Sequence, residues 1–354
     1  MDLTNVGREA FLALGLGAVL AFAIPLALAL IWIFIKKEKF TTVLVGAATF
    51  LLFALILEKP LQALVISMDH PLSRFLNAHP VCWALVVGLF PGIFEETGRM
   101  VAFRSVLKNR KNRETSISYW IGHGGFEVMM VLGLNYVTYI FYALMINAGS
   151  FPDIINQVKA QAPDQVDALY TLANQLAHFT LSDMGMGFLE RAFALLFHIG
   201  VSVLVFYACK EKGRFHLYPM AILLHTAMDF IAGLAMVKVI HLPTLVIEGI
   251  FGAFGILTFC AAYFLLYRHD SDGGLTPNRK KEGYHGRTSW RTRGPWFFDR
   301  RREGECSKSL IAAFAADSFL SVTISTPVYT GVPDHTCIFG CWSVSGNHNG
   351  TYRG

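Results

Sequence analysis

Residues 81–107 read VCWALVVGLFPGIFEETGRMVAFRSVL, a run long and apolar enough to cross a bilayer that still carries Glu95, Glu96 and Arg99. A spanning helix needs roughly 20 mostly apolar residues. Ionisable groups inside one are costly, and where they occur they are functional or paired. Six more stretches meet the length requirement, about 9–35, 40–58, 118–147, 188–209, 216–240 and 244–267. The chain therefore reads as an all-α, polytopic membrane protein with seven transmembrane helices, a multi-pass protein of the cell membrane.

Composition agrees with that reading. Hydrophobic residues make up 54% of the 354 positions and charged residues only 16%, against about 25% charged in soluble domains. A soluble enzyme and a nucleic-acid binder are both excluded; the lipid bilayer is the surrounding medium. The first apolar run is much longer than the roughly 7–15 residues of a signal-peptide core, and acidic Asp2 and Glu9 precede it, so it reads as a retained helix. The six Cys include no CxxC pair, so neither a disulfide framework nor a zinc ribbon is indicated.

The net charge of +5 is unevenly spread. Residues 268–354 hold 12 of the 30 basic residues and 8 of the 25 acidic ones, which leaves 1–267 nearly neutral. Basic clusters follow the first helix (Lys36, Lys37, Lys39), the third (Arg104, Lys108, Arg110, Lys111, Arg113) and the fifth (Lys210, Lys212, Arg214). Loop Lys and Arg mark the cytosolic side, so the expected topology is N-terminus out and C-terminus in. We expect residues 1–267 to form the membrane domain and 268–354 to be a basic, disordered cytosolic tail. The outer connection, about 148–187, places Leu169, Leu172, Leu176 and Phe179 at helical spacing. It reads as an interfacial amphipathic helix or as a packed loop helix.

Titratable residues on four helices share one depth. At about 1.5 Å rise per residue, Glu95, Glu96, His123, Glu127, His198, His225 and Asp229 all fall roughly 10–20 Å in from the cytosolic ends of their helices. His123 and Glu127 are four apart and lie on one helix face, as do His225 and Asp229. Glu95 and Glu96 diverge by about 100°, so only one points straight at a common centre, and Arg99 lies on the same helix three or four residues along. Pro91 and Gly92 precede the pair by one turn, where a kink is expected. Gly122, Gly124 and Gly125 allow a neighbouring helix to approach closely. The other candidates read as structural: His178, His216 and His241 near helix ends, Glu58-Lys59 as an interface anchor, and Glu190-Arg191 as a pair or a snorkelling couple. Glu248 stays open between the two readings.

Imidazole and carboxylate are zinc donors, and a catalytic zinc keeps a position for water. A nearby carboxylate can then act as base. The same residues without metal could hydrolyse through a glutamate that activates water, and a proton-coupled or small-solute transporter could use the same buried Glu, His and Asp. Transporters commonly show internal repeats, and no repeat is visible here.

Glu95-Glu96-Thr97-Gly98-Arg99, Gly122-His123-Gly124-Gly125-Phe126-Glu127, Glu190-Arg191 with His198, and His225-Thr226-Ala227-Met228-Asp229 resemble, in that order, the motifs of YhfC-type intramembrane metalloproteases. These are related to the CAAX prenyl protease / bacteriocin-processing (CPBP) and PrsW-like membrane peptidases, and the resemblance covers about residues 5–267. It implies an intramembrane peptidase that hydrolyses a peptide bond of a membrane protein or peptide in or near the bilayer. Glu95 and Glu96 would be the glutamate pair, one of them the base, with Arg99 orienting them. His198, His225, Asp229 and His123 would hold Zn2+, and Glu127 would assist catalysis; a metal-free glutamate mechanism stays open. Ala194 stands where the CAAX proteases have Phe, with Phe193 one step earlier, and the spacing to Arg99 is the shorter form. Both departures argue against a prenyl-protein substrate.

Overall fold

The computed structural model describes residues 3–161 and 163–270. All but the first three residues of the 268–354 tail lie outside the described residues. Among the described residues there are helices and no strands. Seven helices are long and apolar enough to span a membrane: α1 (Arg8–Lys36), α2 (Phe40–Ile66), α4 (Pro80–Arg104), α5 (Glu114–Asn147), α8 (Leu181–Lys210), α9 (Leu217–Met236) and α10 (Thr244–His269). Three shorter α-helices lie between them: α3 (Pro71–Ala78), α6 (Phe151–Gln161) and α7 (Val166–Ala177).

The span boundaries move for identifiable reasons. Helix α8 starts at Leu181, a full two turns before the apolar run, because Thr180 and Asp183 form a capping box. The Thr180 side chain accepts from the Asp183 N–H, and Asp183 Oδ2 accepts from the Thr180 N–H at 2.8 Å; such reciprocal bonds satisfy amides that a helix start otherwise leaves unpaired. Helix α2 continues past Glu58 to Ile66 through a π-helical stretch, Leu51–Glu58. Its buried residues Phe50, Ala54, Glu58, Gln62 and Ile66 repeat every four positions. An unbroken helix at 3.6 residues per turn would rotate that stripe away from the interior; the wider π turn holds it inward. Glu58 is consequently buried, and this corrects its reading as an interface anchor. Lys59 Nζ pairs with Glu58 Oε1 at 2.9 Å.

Packing is closest in three helix pairs: α4 with α9, α2 with α5, and α8 with α10. All three depend on missing side chains. A Cβ on Gly122 would fall far inside contact with the Val43 carbonyl oxygen, and one on Gly46 inside contact with that of Tyr119. On α4, a Cβ at Gly88 would come 2.6 Å from the Phe230 nitrogen of α9, and Gly92 is closed off by Thr226. Backbone-to-backbone approach of this kind is how helices associate where lipid removes the hydrophobic drive between them.

The connection around 148–187 is the packed alternative. Phe151, Ile155 and Val158 of α6 and Leu169, Leu172 and Leu176 of α7 join one buried cluster with Val6, Ala10 and Leu14. Asn147 ties the segment before α1 to the end of α5, its Oδ1 accepting from the Val6 N–H at 2.8 Å and its Nδ2 donating to the Val6 carbonyl at 3.0 Å.

Candidate functional site

The α4–α9 and α2–α5 crossings bring the titratable faces of α4, α5, α8 and α9 together. Glu95, Glu96, Arg99, His123, Glu127, His198, His225 and Asp229 are all buried, and Glu96, Arg99 and His123 are 0% exposed. So many charges are tolerable out of water only when each finds a partner, and here the partners are one another.

Arg99 is the hub. Its Nη1 donates to Glu96 Oε1, its Nη2 donates to His198 Nδ1 at 2.7 Å, and Nη2 lies 3.6 Å from Glu95 Oε2. The bond to His198 spans 99 positions of sequence, so nothing in the local pattern announces it. The bonds to the glutamates are the i,i+3 and i,i+4 contacts that helical spacing implies.

Around that hub the residues sort into two groups. Glu95 Oε2 is 3.0 Å from His123 Nε2, and the rings of His123 and His198 have centroids 5.8 Å apart. One ligand atom each from Glu95, His123 and His198 lies within 4.8 Å of the others. In the second group, His225 Nδ1 is 2.7 Å from Glu96 Oε1 and His225 Nε2 is 3.5 Å from Asp229 Oδ2. His225 also stands near His198, with ring centroids 5.2 Å apart, yet its nitrogens are engaged with carboxylates. The structure thus brings all eight candidate residues together. It places Glu95, not His225 or Asp229, beside His123 and His198 in the three-donor group.

Glu127 contacts His198 and Arg191. Its Oε2 lies 3.1 Å from His198 Nε2, and its Oε1 accepts from Arg191 Nη1 at 3.0 Å. Arg191 also donates to Glu190 Oε1 at 2.5 Å. The adjacent pair is buried and bridges to the centre, so it does not snorkel. Tyr119 was not foreseen: it is fully buried and stacks on His123 at 5.8 Å. It lies one turn before His123, the spacing at which residues share a helix face, and this was the signal available. Glu248 is buried as well, and neither of its carboxylate oxygens has a hydrogen-bond partner among the described residues.

The three-donor group fits a divalent metal. Two imidazoles and a carboxylate are a donor set of catalytic zinc, and buried His123 Nδ1 has no hydrogen-bond partner among the described residues. Both nitrogens of His198 already face a partner, Arg99 on one side and Glu127 on the other. A metal bound by His198 must therefore exchange with one of those two contacts.

A family profile described as YhfC intramembrane metalloprotease matches residues 20–251. That range contains every residue of the cluster. "Uncharacterized membrane protein YhfC" of Bacillus subtilis (strain 168) is 32% identical over 229 residues, which span 63% of this chain and 84% of that protein. No solved structure gives a significant match. With the family match across six of the seven spans in full or in large part, and the relative aligned over most of its own length, the chain belongs to the YhfC intramembrane metalloprotease family.

Proposed function

We propose that the protein is an intramembrane peptidase that hydrolyses a peptide bond of a membrane protein or peptide substrate in or near the bilayer. The observation that carries the reading is the buried group of Glu95, His123 and His198, its ligand atoms within 4.8 Å of one another, directly beside a second glutamate, Glu96. Glu95, His123 and His198 would hold zinc. When bound, zinc supplies Lewis acidity at the carbonyl and lowers the pKa of a water molecule.

With Glu95 in the three-donor group, Glu96 is the base. Its Oε1 is held by Arg99 and His225, while its Oε2 has no hydrogen-bond partner among the described residues, leaving those lone pairs for a water. Glu96 takes a proton as the water oxygen bonds to the scissile carbonyl carbon. It then delivers that proton to the departing amine nitrogen as the C–N bond breaks, giving a carboxylic acid and an amine. His225 donates from Nδ1 to Glu96 Oε1, and Asp229 holds the opposite side of the ring. Arg99 keeps the glutamate pair in register. The loop Lys and Arg residues support an N-terminus outside and a C-terminus inside.

The test uses the purified full chain in liposomes with a panel of single-span membrane peptides, and products are identified by mass. Cleavage by the wild type that is lost in Glu96→Gln supports the reading. Equal product from both proteins, or a solute flux abolished by Glu96→Gln with no cleavage, contradicts it; the flux would indicate a transporter.

A further inference from the structure

Beyond the residues in the three-donor group runs a chain of contacts that leads away from the centre, from His198 to Glu127 to Arg191 to Glu190. All four residues are buried. We propose that Arg191 is a positioning residue: by gripping Glu127 it fixes the orientation and tautomer of His198, and so sets how tightly the site binds its metal. This rests on the metallopeptidase reading above.

The argument starts from proton placement. Arg99 Nη2 can only donate, so the 2.7 Å bond requires a lone pair on His198 Nδ1. A neutral ring then carries its proton on Nε2, and Nε2 is the nitrogen that lies 3.1 Å from Glu127 Oε2. The Arg99 contact selects that tautomer and the Glu127 carboxylate lies within ion-pair distance of the protonated nitrogen; a metal that takes Nδ1 displaces Arg99 and leaves Glu127 on Nε2. A carboxylate on the far nitrogen of a ligating histidine fixes its ring and raises its basicity.

Glu127 can serve only if its own direction is fixed. Arg191 does this through a planar fork whose two ends are separately committed, Nη1 to Glu127 at 3.0 Å and Nη2 to Glu190. Glu190 and Arg191 are adjacent on α8, about two turns before His198 on the same helix. The helix that supplies the ligand also supplies the brace for its partner. Lysine could satisfy the charge but not the fork.

The experiment measures zinc affinity of the full chain in detergent by competition with a chelating dye, with thermal unfolding recorded alongside. Variants are Arg191→Met, Arg191→Lys, Glu127→Gln and the Arg191→Met/Glu127→Gln double. Expected is a loss of about 10–100-fold in affinity for Arg191→Met and a smaller loss for Arg191→Lys. The double variant should bind no more weakly than Glu127→Gln alone, because Arg191 acts through Glu127. Additive losses in the double would mean a general structural role and overturn the proposal, since independent effects add. Wild-type affinity in Arg191→Met also overturns it. Should Arg191→Met fail to fold, Arg191→Lys carries the test, and unchanged affinity there overturns the proposal equally. Wild-type protein that binds no zinc would instead sink the metallopeptidase reading itself.

Discussion

Two helices carry the same pattern, a histidine followed four residues later by a carboxylate, and the fold uses them differently. On α9, His225 and Asp229 face each other at 3.5 Å, and the ring's other nitrogen goes to Glu96. On α5, His123 turns to Glu95 while Glu127 turns to His198 and Arg191. Spacing of i,i+4 places two side chains on one face, but it does not choose their partners. That choice depends on which neighbouring helix crosses each face. α9 crosses α4 at Gly88 and Gly92, and α5 crosses α2 at Gly46 and Gly122 with Glu95 of α4 within reach. The α5 pattern accordingly supplies one donor of the three-donor group, and the α9 pattern pairs with Glu96.

The two histidines should accordingly fail differently. His123→Ala should remove bound metal and with it cleavage, read by elemental analysis and peptide products. Removing the α9 histidine should spare the metal: His225→Ala should lower turnover by about 10²–10⁴-fold, the usual contribution of acid–base assistance, at unchanged metal content. Among the described residues Asp229 is held against His225 Nε2 at 3.5 Å, longer than a good hydrogen bond, so Asp229→Asn should cost less, about 10-fold in turnover. A turnover loss for Asp229→Asn equal to that of Glu96→Gln would break the ranking.

The glycine crossings offer a gentler version of the same contrast. Gly122→Ala must push α5 away from Val43, and overpacking of this kind costs about 1–3 kcal/mol. The displaced element carries His123, so metal affinity should fall with stability. Gly92→Ala presses on Thr226 of α9, next to His225; it should lower turnover while metal affinity holds. Thermal unfolding and dye competition on the two variants separate these outcomes.

Much of the architecture was legible in the sequence because apolar length alone identifies a span, and all seven stretches fall on helices of the structure. Their ends were less legible. The capping box at Thr180 and Asp183 is a local signal, but the π turn at Leu51–Glu58 shows no apolar or polar marker, and it is what turns Glu58 inward. The candidate residues were legible as a set because they share a depth. Their grouping was not, since depth says nothing about rotation around each helix axis. His225 and Asp229 were expected among the metal donors, and Glu95 as part of the base pair; in the structure Glu95 stands with His123 and His198. The link from Arg99 to His198 and the brace from Arg191 to Glu127 join residues 99 and 64 positions apart. Only the packed helices make those contacts.

The division between the two helices comes down to a metal count. Elemental analysis of the full chain, purified in parallel as wild type, His123→Ala and His225→Ala, should find one metal per chain in the wild type and in His225→Ala, and none in His123→Ala. Metal retained by His123→Ala and lost from His225→Ala would contradict the account and place the site on α9.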